Sequence, residues 1–532
     1  MIATRRSRRV NRRRGVFTRF QCPSRGIGGS LGAPPEQRYR HGGEIAAPIF
    51  GPPYVVDAHT PATGFRPTPL GKKGNQGAMD LHWLSPGDTS WQLTAATLVG
   101  LMSVPGLVVL YGGVMQKRWS VNSMMMAFVA FALVIVVWTL YAFKIGFGHP
   151  VHIFGADHGF FANMFGKPGS ILSSVGLREQ GDIPNIGKTV FPASTLAYFQ
   201  IVFAAITPIL MLGSVLGRIN FKAWIPFVIL WTSLIYTVNA FLIWGGGFFA
   251  QHGALDFSGG YVIHLAAGVS GFVAAAVVGP RLQRDREVDA PNNLAMVAVG
   301  AGLLWLGWNG FNGGDPYLVN DIASAAVLNT NLCTAVAFLV WVGWDYATGN
   351  KPSLIGSVNG MITGLVAITP AAGFVNGWGA LIIGVVASTI VYFALNYLSR
   401  TAPFRNVDDT LGVVYTHGFA GVAGGLLTGI FANSAMGAAP GLISGDGGHL
   451  LGWQALTALW VIVFCAVGTY ILLKLVGLFV PLRMTEQDME TGDLAVHGHE
   501  VYPSDVPSLG FPSGSAERAP AAPASTPLPE PS

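Results

Sequence analysis

Two aspartate–histidine pairs stand at the same spacing in distant parts of the chain. Asp256 is followed eight residues later by His264 and then by Ala267, Gly268, Val269 and Gly271. Asp409 is followed eight residues later by His417 and then by Ala420, Gly421, Val422 and Gly424. Both copies read D-x7-H-x-x-A-G-V-x-G, and both histidines open apolar runs. An ionisable side chain is costly there and usually serves a pathway, a relay or a pairing partner. Imidazole accepts and donates protons near neutral pH, so the chemistry on offer is proton transfer. One such histidine alone is as often a packed core residue as a working one; recurrence within a duplicated motif weighs toward function. An aspartate ahead of a helical run most often caps backbone N–H groups, and that reading is favoured for Asp409. Asp256 could also add negative potential to its loop, and both roles stay open for it.

The elements that hold these residues are apolar and numerous. Hydrophobic residues make up 51% of the 532-residue chain and charged residues only 11%, which excludes a set of soluble domains and points to an integral membrane protein. A helical span needs roughly 20 apolar residues. Eleven runs qualify, approximately 93–114, 124–143, 194–216, 224–244, 261–278, 294–310, 322–344, 355–374, 378–398, 411–431 and 456–480. Many of the 70 glycines fall inside them, and small residues let membrane helices approach closely. One copy of the motif opens the fifth span and the other the tenth. The expected fold is therefore all-α, with eleven transmembrane helices arranged as two inverted five-helix repeats plus one additional helix. In such repeats, sites lie near the bilayer midplane.

Lys and Arg in short loops collect on the cytoplasmic side. Alternate loops hold Lys117, Arg118, Arg218, Lys222, Arg281, Arg284, Arg286, Lys351, Arg400 and Arg405, with Arg483 after the last span; the other set holds Lys167, Arg178 and Lys188 in one long loop. The expectation is a multi-pass protein of the cell (plasma or inner) membrane, with the N terminus outside and the C terminus cytoplasmic. The net charge of +5 owes much to an N-terminal run containing Arg5, Arg6, Arg8, Arg9, Arg12, Arg13 and Arg14. No basic patch interleaved with aromatics occurs elsewhere, so no nucleic-acid partner is expected. Cys22, Cys333 and Cys465 are too scattered for a metal site. Residues 1–88 are expected to form a disordered extension, with Met79 as an alternative start. Residues 89–483 form the membrane domain, and 484–532 a cytoplasmic tail that is disordered toward its end.

Several strings together resemble the ammonium transporter family (Amt/Mep, with Rh relatives), in its Amt branch. They are Val104-Pro-Gly-Leu-Val-Val-Leu-Tyr-Gly-Gly-Val, Tyr198-Phe-Gln-Ile-Val-Phe-Ala-Ala-Ile-Thr, Trp244-Gly-Gly-Gly, His252-Gly-Ala-Leu-Asp-Phe-Ser-Gly-Gly, Gly307-Trp-Asn-Gly-Phe-Asn-Gly-Gly, Lys351-Pro-Ser-Leu-Ile-Gly and His417-Gly. The resemblance covers roughly 89–502. It implies a vestibule in which Phe199 and Trp244 hold a cation, a gate of Phe203 and Phe311, and pore histidines His264 and His417. It implies ammonium or ammonia as the species moved, a homotrimer with one pore per protomer, and a PII-type signal protein at the cytoplasmic face. No cofactor, metal or covalent chemistry is implied.

The chain departs from the family pattern at three places. Asp315 stands where a vestibule serine is frequent, Gly412 where an aspartate is frequent, and Tyr415-Thr416 precede His417 in place of smaller residues. Asp315 reads equally well as a turn residue in Gly313-Gly-Asp-Pro and as a carboxylate that strengthens cation capture. Alternatives to transport are an Rh-like gas channel, disfavoured by Trp244 and the span count, and an ammonium sensor. A membrane enzyme lacks the carboxylate and cysteine clustering that such sites use.

Overall fold

A computed structural model describes residues 81–155, 158–288 and 290–502. Expectations for residues 1–80 and 503–532 fall outside the described residues. Among those described, ten helices are long and apolar enough to cross a membrane. They are α1 (Pro86–Val114), α2 (Lys117–Phe147), α3 (Ala193–Leu212), α4 (Phe221–Gln251), α5 (Gly260–Val278), α6 (Leu294–Gly313), α7 (Asp321–Ala347), α9 (Gly377–Arg400), α10 (Val414–Phe431) and α11 (His449–Gly477). The remaining expected span is α8 (Leu354–Ile368), apolar but only 15 residues long. Its reach is cut by Pro370, which has no N–H to continue the helical ladder. The fourth run breaks after Ile243, where Trp244-Gly-Gly-Gly leaves the helix.

The chain is not wholly helical. A hairpin of β1 (Gln180–Ile183) and β2 (Gly187–Pro192) lies between α2 and α3. Its β-branched and aromatic residues Thr189, Val190 and Phe191 favour extended backbone, and Asn185 turns it at φ 64. After α11 come two short helices, α12 (Glu486–Thr491) and α13 (Asp493–His497).

Helix packing follows the small residues. α7 lies against α8 and α9, α1 against α6, and α5 against α10 and α11. At the α5–α10 crossing, an added Cβ on Gly268 would stand 2.5 Å from Gly418 Cα, and one on Gly421 would stand 2.6 Å from the Gly260 carbonyl oxygen. Only glycine permits that approach, and it brings the histidine-bearing ends of the two helices into contact.

Candidate functional site

Each aspartate–histidine motif begins with the same local construction. Asp256 accepts backbone N–H groups with both oxygens: Oδ1 from Gly259 (3.2 Å) and Gly260 (2.6 Å), Oδ2 from Tyr261 (2.9 Å) and Val262 (3.0 Å). Asp409 Oδ2 accepts from Val414 N–H at 2.9 Å. Both carboxylates thus meet the unpaired donors of a helix start. The preceding residues pair with the unwound end of another helix. Phe257 and Ser258 donate to the carbonyls of Pro370 and Thr369 at the end of α8 (3.2 and 3.1 Å), while Thr410 and Leu411 donate to Ser214 and Gly213 after α3 (3.3 and 3.2 Å). Irregular backbone inside a membrane protein persists where protein satisfies it.

Both histidines sit on turns wound more widely than an α-helix, Gly260–Leu265 and Val414–Phe419. Such turns gather at functional sites. His264 is fully buried and His417 is 6% exposed. Their rings lie 5.3 Å apart at 24°, with Nδ1 to Nδ1 at 3.2 Å. Between two neutral rings only one Nδ1 carries the shared proton, so the pair holds opposite tautomers.

A column of rings leads to this pair. Phe199 and Phe203 have centroids 4.7 Å apart, Phe203 meets the edge of Trp244 at 6.0 Å, and Phe203 and Phe311 lie at 4.4 Å. Phe311 then stacks on His264 at 5.9 Å. Trp308, which sequence reading did not single out, stacks on His264 at 5.3 Å and lies 5.0 Å from Phe311; its Nε1–H donates to Thr369 Oγ1 at 2.9 Å. Its place one turn before Phe311 on an inward face was the available signal.

Cavities flank the column. One of about 390 Å³ is lined by Trp244, Asp256, Asp315, Tyr317 and Phe374 among others. Trp244 is part-exposed and donates from Nε1 to the Asp256 carbonyl at 2.7 Å. Phe199 does not line this cavity; it is fully enclosed behind Tyr317 and Phe203. Asp315 occupies a turn closed by Tyr317 N–H to Gly314 O (3.1 Å) and also faces the cavity. The other cavity, about 870 Å³, is bordered by His417, Tyr111, Arg281, Arg286, Arg400, Arg405, Asp408 and Asp409. There Arg281 holds Asp408 through Nε (3.0 Å) and Nη2 (2.9 Å). Buried Arg218 donates to the Asp408 carbonyl, Thr410 and Gly279. Burial would raise the Asp408 carboxyl, but the guanidiniums of Arg281 and Arg218 outweigh it and hold it below its ordinary value.

This arrangement offers cation contact on aromatic faces, a closed apolar constriction and a coupled imidazole pair, with no covalent nucleophile engaged. Among the described residues no group of three or more His, Cys, Asp or Glu is placed to hold a metal ion.

Comparison with known proteins accounts for the combination. Residues 90–502 match the model of the Ammonium Transporter Family. Ammonium transporter 3 member 2 of Oryza sativa subsp. japonica is 48% identical over 450 residues, covering 82% of this chain and 93% of that protein. Ammonium transporter 2 of Arabidopsis thaliana is 48% identical over 432 residues, covering 79% and 89%. The crystal structure of Saccharomyces cerevisiae Mep2 superimposes with a TM-score of 0.67 at 28% identity, covering 78% of this chain and 92% of that one. A family match over most of the chain, relatives near half identity and a shared helical architecture agree: this membrane protein belongs to the ammonium transporter family.

Proposed function

We propose that this protein transports ammonium across a membrane by capturing the ion beside Trp244 and passing it as ammonia between Phe203 and Phe311 to the His264–His417 pair. The observation that carries the reading is the unbroken stack from Phe203 through Phe311 and His264 to His417, joining one cavity to the other. A cation over an aromatic face gains about 0.5–2 kcal/mol. Stripping a charge of water in a closed apolar bore costs at least several kcal/mol. The charge must therefore leave the nitrogen at the constriction. Ammonium has a proton to give up and potassium has none, so the same bore excludes an ion of similar size.

The proton follows the imidazoles. The 3.2 Å Nδ1–Nδ1 contact lets one ring pass its proton to the other once a proton arrives on the far nitrogen. Phe199 acts as the wall behind the vestibule, Trp244 and Asp315 as its lining, and Asp256 as the cap that orients the His264 turn.

The protein works as a homotrimer with one pore per protomer, in the plasma or inner membrane. The vestibule and N terminus face outside, and the Arg-bordered cavity and C terminus face the cytoplasm, as the Lys/Arg bias requires. A PII-type signal protein docks on that cytoplasmic face. The test is ammonium flux and current from purified protein in liposomes, with potassium as competitor. The double variant His264→Ala, His417→Ala should remain a folded oligomer and lose selective ammonium transport. Full flux with unchanged potassium exclusion in that variant would sink the relay.

A further inference from the structure

The two carboxylates bordering the Trp244 cavity are in opposite chemical situations. Asp256 has both oxygens occupied by four backbone N–H groups. Asp315 is part-buried, and its Oδ2 is shut from solvent without a hydrogen-bond partner. Ser258 Oγ–H donates to the Phe311 carbonyl at 2.8 Å, and its contact with the Asp315 carboxyl leaves Oδ2 unpaired. Tyr317 has its hydroxyl occupied by Gln200 Nε2 at 2.6 Å. No Lys or Arg is among the described residues that line the cavity. A buried acceptor left unpaired is destabilising, and a charged one more so. What this oxygen lacks is a small cation carrying N–H donors.

We propose that Asp315 sets the affinity of the cavity for ammonium, its carboxylate accepting an N–H of the ion held beside Trp244 and competing for that ion with a solvent proton. The inference rests on the reading of this cavity as the entry vestibule, and it assigns the capture step to charge more than to aromatic faces. It also gives the site a built-in pH response. Burial holds the empty Asp315 carboxyl well above the usual carboxylate range, the Ser258 contact opposing this and the Asp256 charge adding to it. The groups facing Asp315 are Asp256 and Ser258 from the segment before α5, Tyr317 from its own segment and Tyr236 from α4. None brings a positive charge, so an arriving ammonium ion is what displaces the proton. Below the effective pKa one proton leaves for each ion bound, and the half-saturating ammonium concentration rises about tenfold per pH unit of acidification. Passage past Phe203 and the histidines does not involve this carboxylate, so maximal flux is unaffected by it.

The experiment measures ammonium uptake by full-length protein in liposomes across mildly acid to mildly alkaline pH, for the parent, Asp315→Asn and Asp315→Ser. The parent is expected to show a half-saturating concentration that rises with acidification. Both variants should show a raised value, several-fold above the parent at alkaline pH, that no longer depends on pH, with maximal flux near the parent's. Parent-like affinity and pH dependence in variants that elute as folded oligomers would overturn the proposal. Variants that lose maximal flux at unchanged affinity would overturn it too, placing Asp315 in passage or packing. A folded Trp244→Ala variant with the parent's half-saturating concentration would instead defeat the vestibule reading beneath it.

Discussion

If the histidine pair works through its direct contact, then a methyl group placed behind it should stop transport without touching either ring. At the α5–α10 crossing, a Cβ on Gly268 would stand 2.5 Å from Gly418 Cα and 3.2 Å from the His417 carbonyl carbon. Carbon atoms rest at about 3.5–4.0 Å, so Gly268→Ala must part the two backbones by roughly 1 Å. The imidazoles are tied to those backbones one turn or less away. Their Nδ1–Nδ1 contact, 3.2 Å in the parent, already lies at the long end of the hydrogen-bond range, and about 3.6 Å is no longer a bond. The overpacking itself should cost about 1–3 kcal/mol of stability, which a domain of this size survives.

The companion variants make the reasoning specific. A Cβ on Gly418, across the same crossing, meets Val414 Cγ2 at 3.5 Å and Gly268 at 3.7 Å, ordinary contacts, so Gly418→Ala should transport like the parent. Gly302 on α6 has nothing within 4 Å of an added Cβ, and Gly302→Ala controls for the loss of a glycine in a membrane helix. Flux in liposomes and thermal midpoints in detergent separate the outcomes. Gly268→Ala should fold, with a lowered midpoint, and lose at least tenfold in ammonium flux. Parent-like flux from folded Gly268→Ala protein would refute the claim that the close ring contact carries the proton. Equal loss in Gly418→Ala would show that helix packing in general, rather than this collision, is responsible.

Two further outcomes follow from charges outside the spans. Asp408→Asn leaves Arg281 without its carboxylate and should cost about 3 kcal/mol, the low end for a broken buried pair because both groups border a cavity; a parent-like thermal midpoint would contradict this. Since Arg281 helps hold the Asp408 carboxyl below its ordinary value, the pair's contribution should be fully present above about pH 4 and fade as pH falls through the lowered folded-state value. Asp493 accepts from the backbone N–H groups of Val121 and Asn122, both at 2.8 Å, at the start of α2, so Asp493→Ala should weaken tail docking by about 1–2 kcal/mol and speed hydrogen exchange at those two amides. Burial, opposed by those same bonds, lifts its carboxyl to about 6, above the free value; docking should therefore be strongest below about pH 4 and weaken as pH rises to about 6, and the opposite trend in exchange would refute it.

The parts of this fold legible in the sequence are those written by short-range chemistry. Long apolar runs mark the helices because lipid offers the backbone no partners, and the repeated D-x7-H string marks two helix starts because an aspartate oxygen at that place meets free N–H groups. The sequence leaves Asp315 open between a turn and a ligand; the structure shows the turn, closed by Tyr317 N–H to Gly314 O, and puts the residue in the wall of the cavity. The truncated α8 was legible in principle from Pro370. The sequence reading extended it through Phe374 because Ala371, Ala372 and Phe374 continue the apolar character after the helix itself has stopped.

Contacts across long separations come from the family resemblance and not from the residues themselves, and the reason is geometric. Periodicity at 3.6 residues assigns faces only while the helix winds regularly. At Gly260–Leu265 and Val414–Phe419 the winding widens, as the bond from His264 N–H back five residues to Gly259 O at 3.0 Å shows. An extra residue in a turn rotates everything after it by about 100°, so a regular helical wheel drawn through either motif assigns the wrong face. The wide turns are in turn permitted by long-range partners: Ser258 and Phe257 by the end of α8, Thr410 and Leu411 by the end of α3. No window of sequence around His264 contains Thr369 or Pro370, and none around His417 contains Gly213 or Ser214. The face that each histidine presents is therefore decided by residues at least 100 positions away in the first case and nearly twice that in the second, and the pairing of two imidazoles is a property of the assembled bundle that neither motif could announce alone.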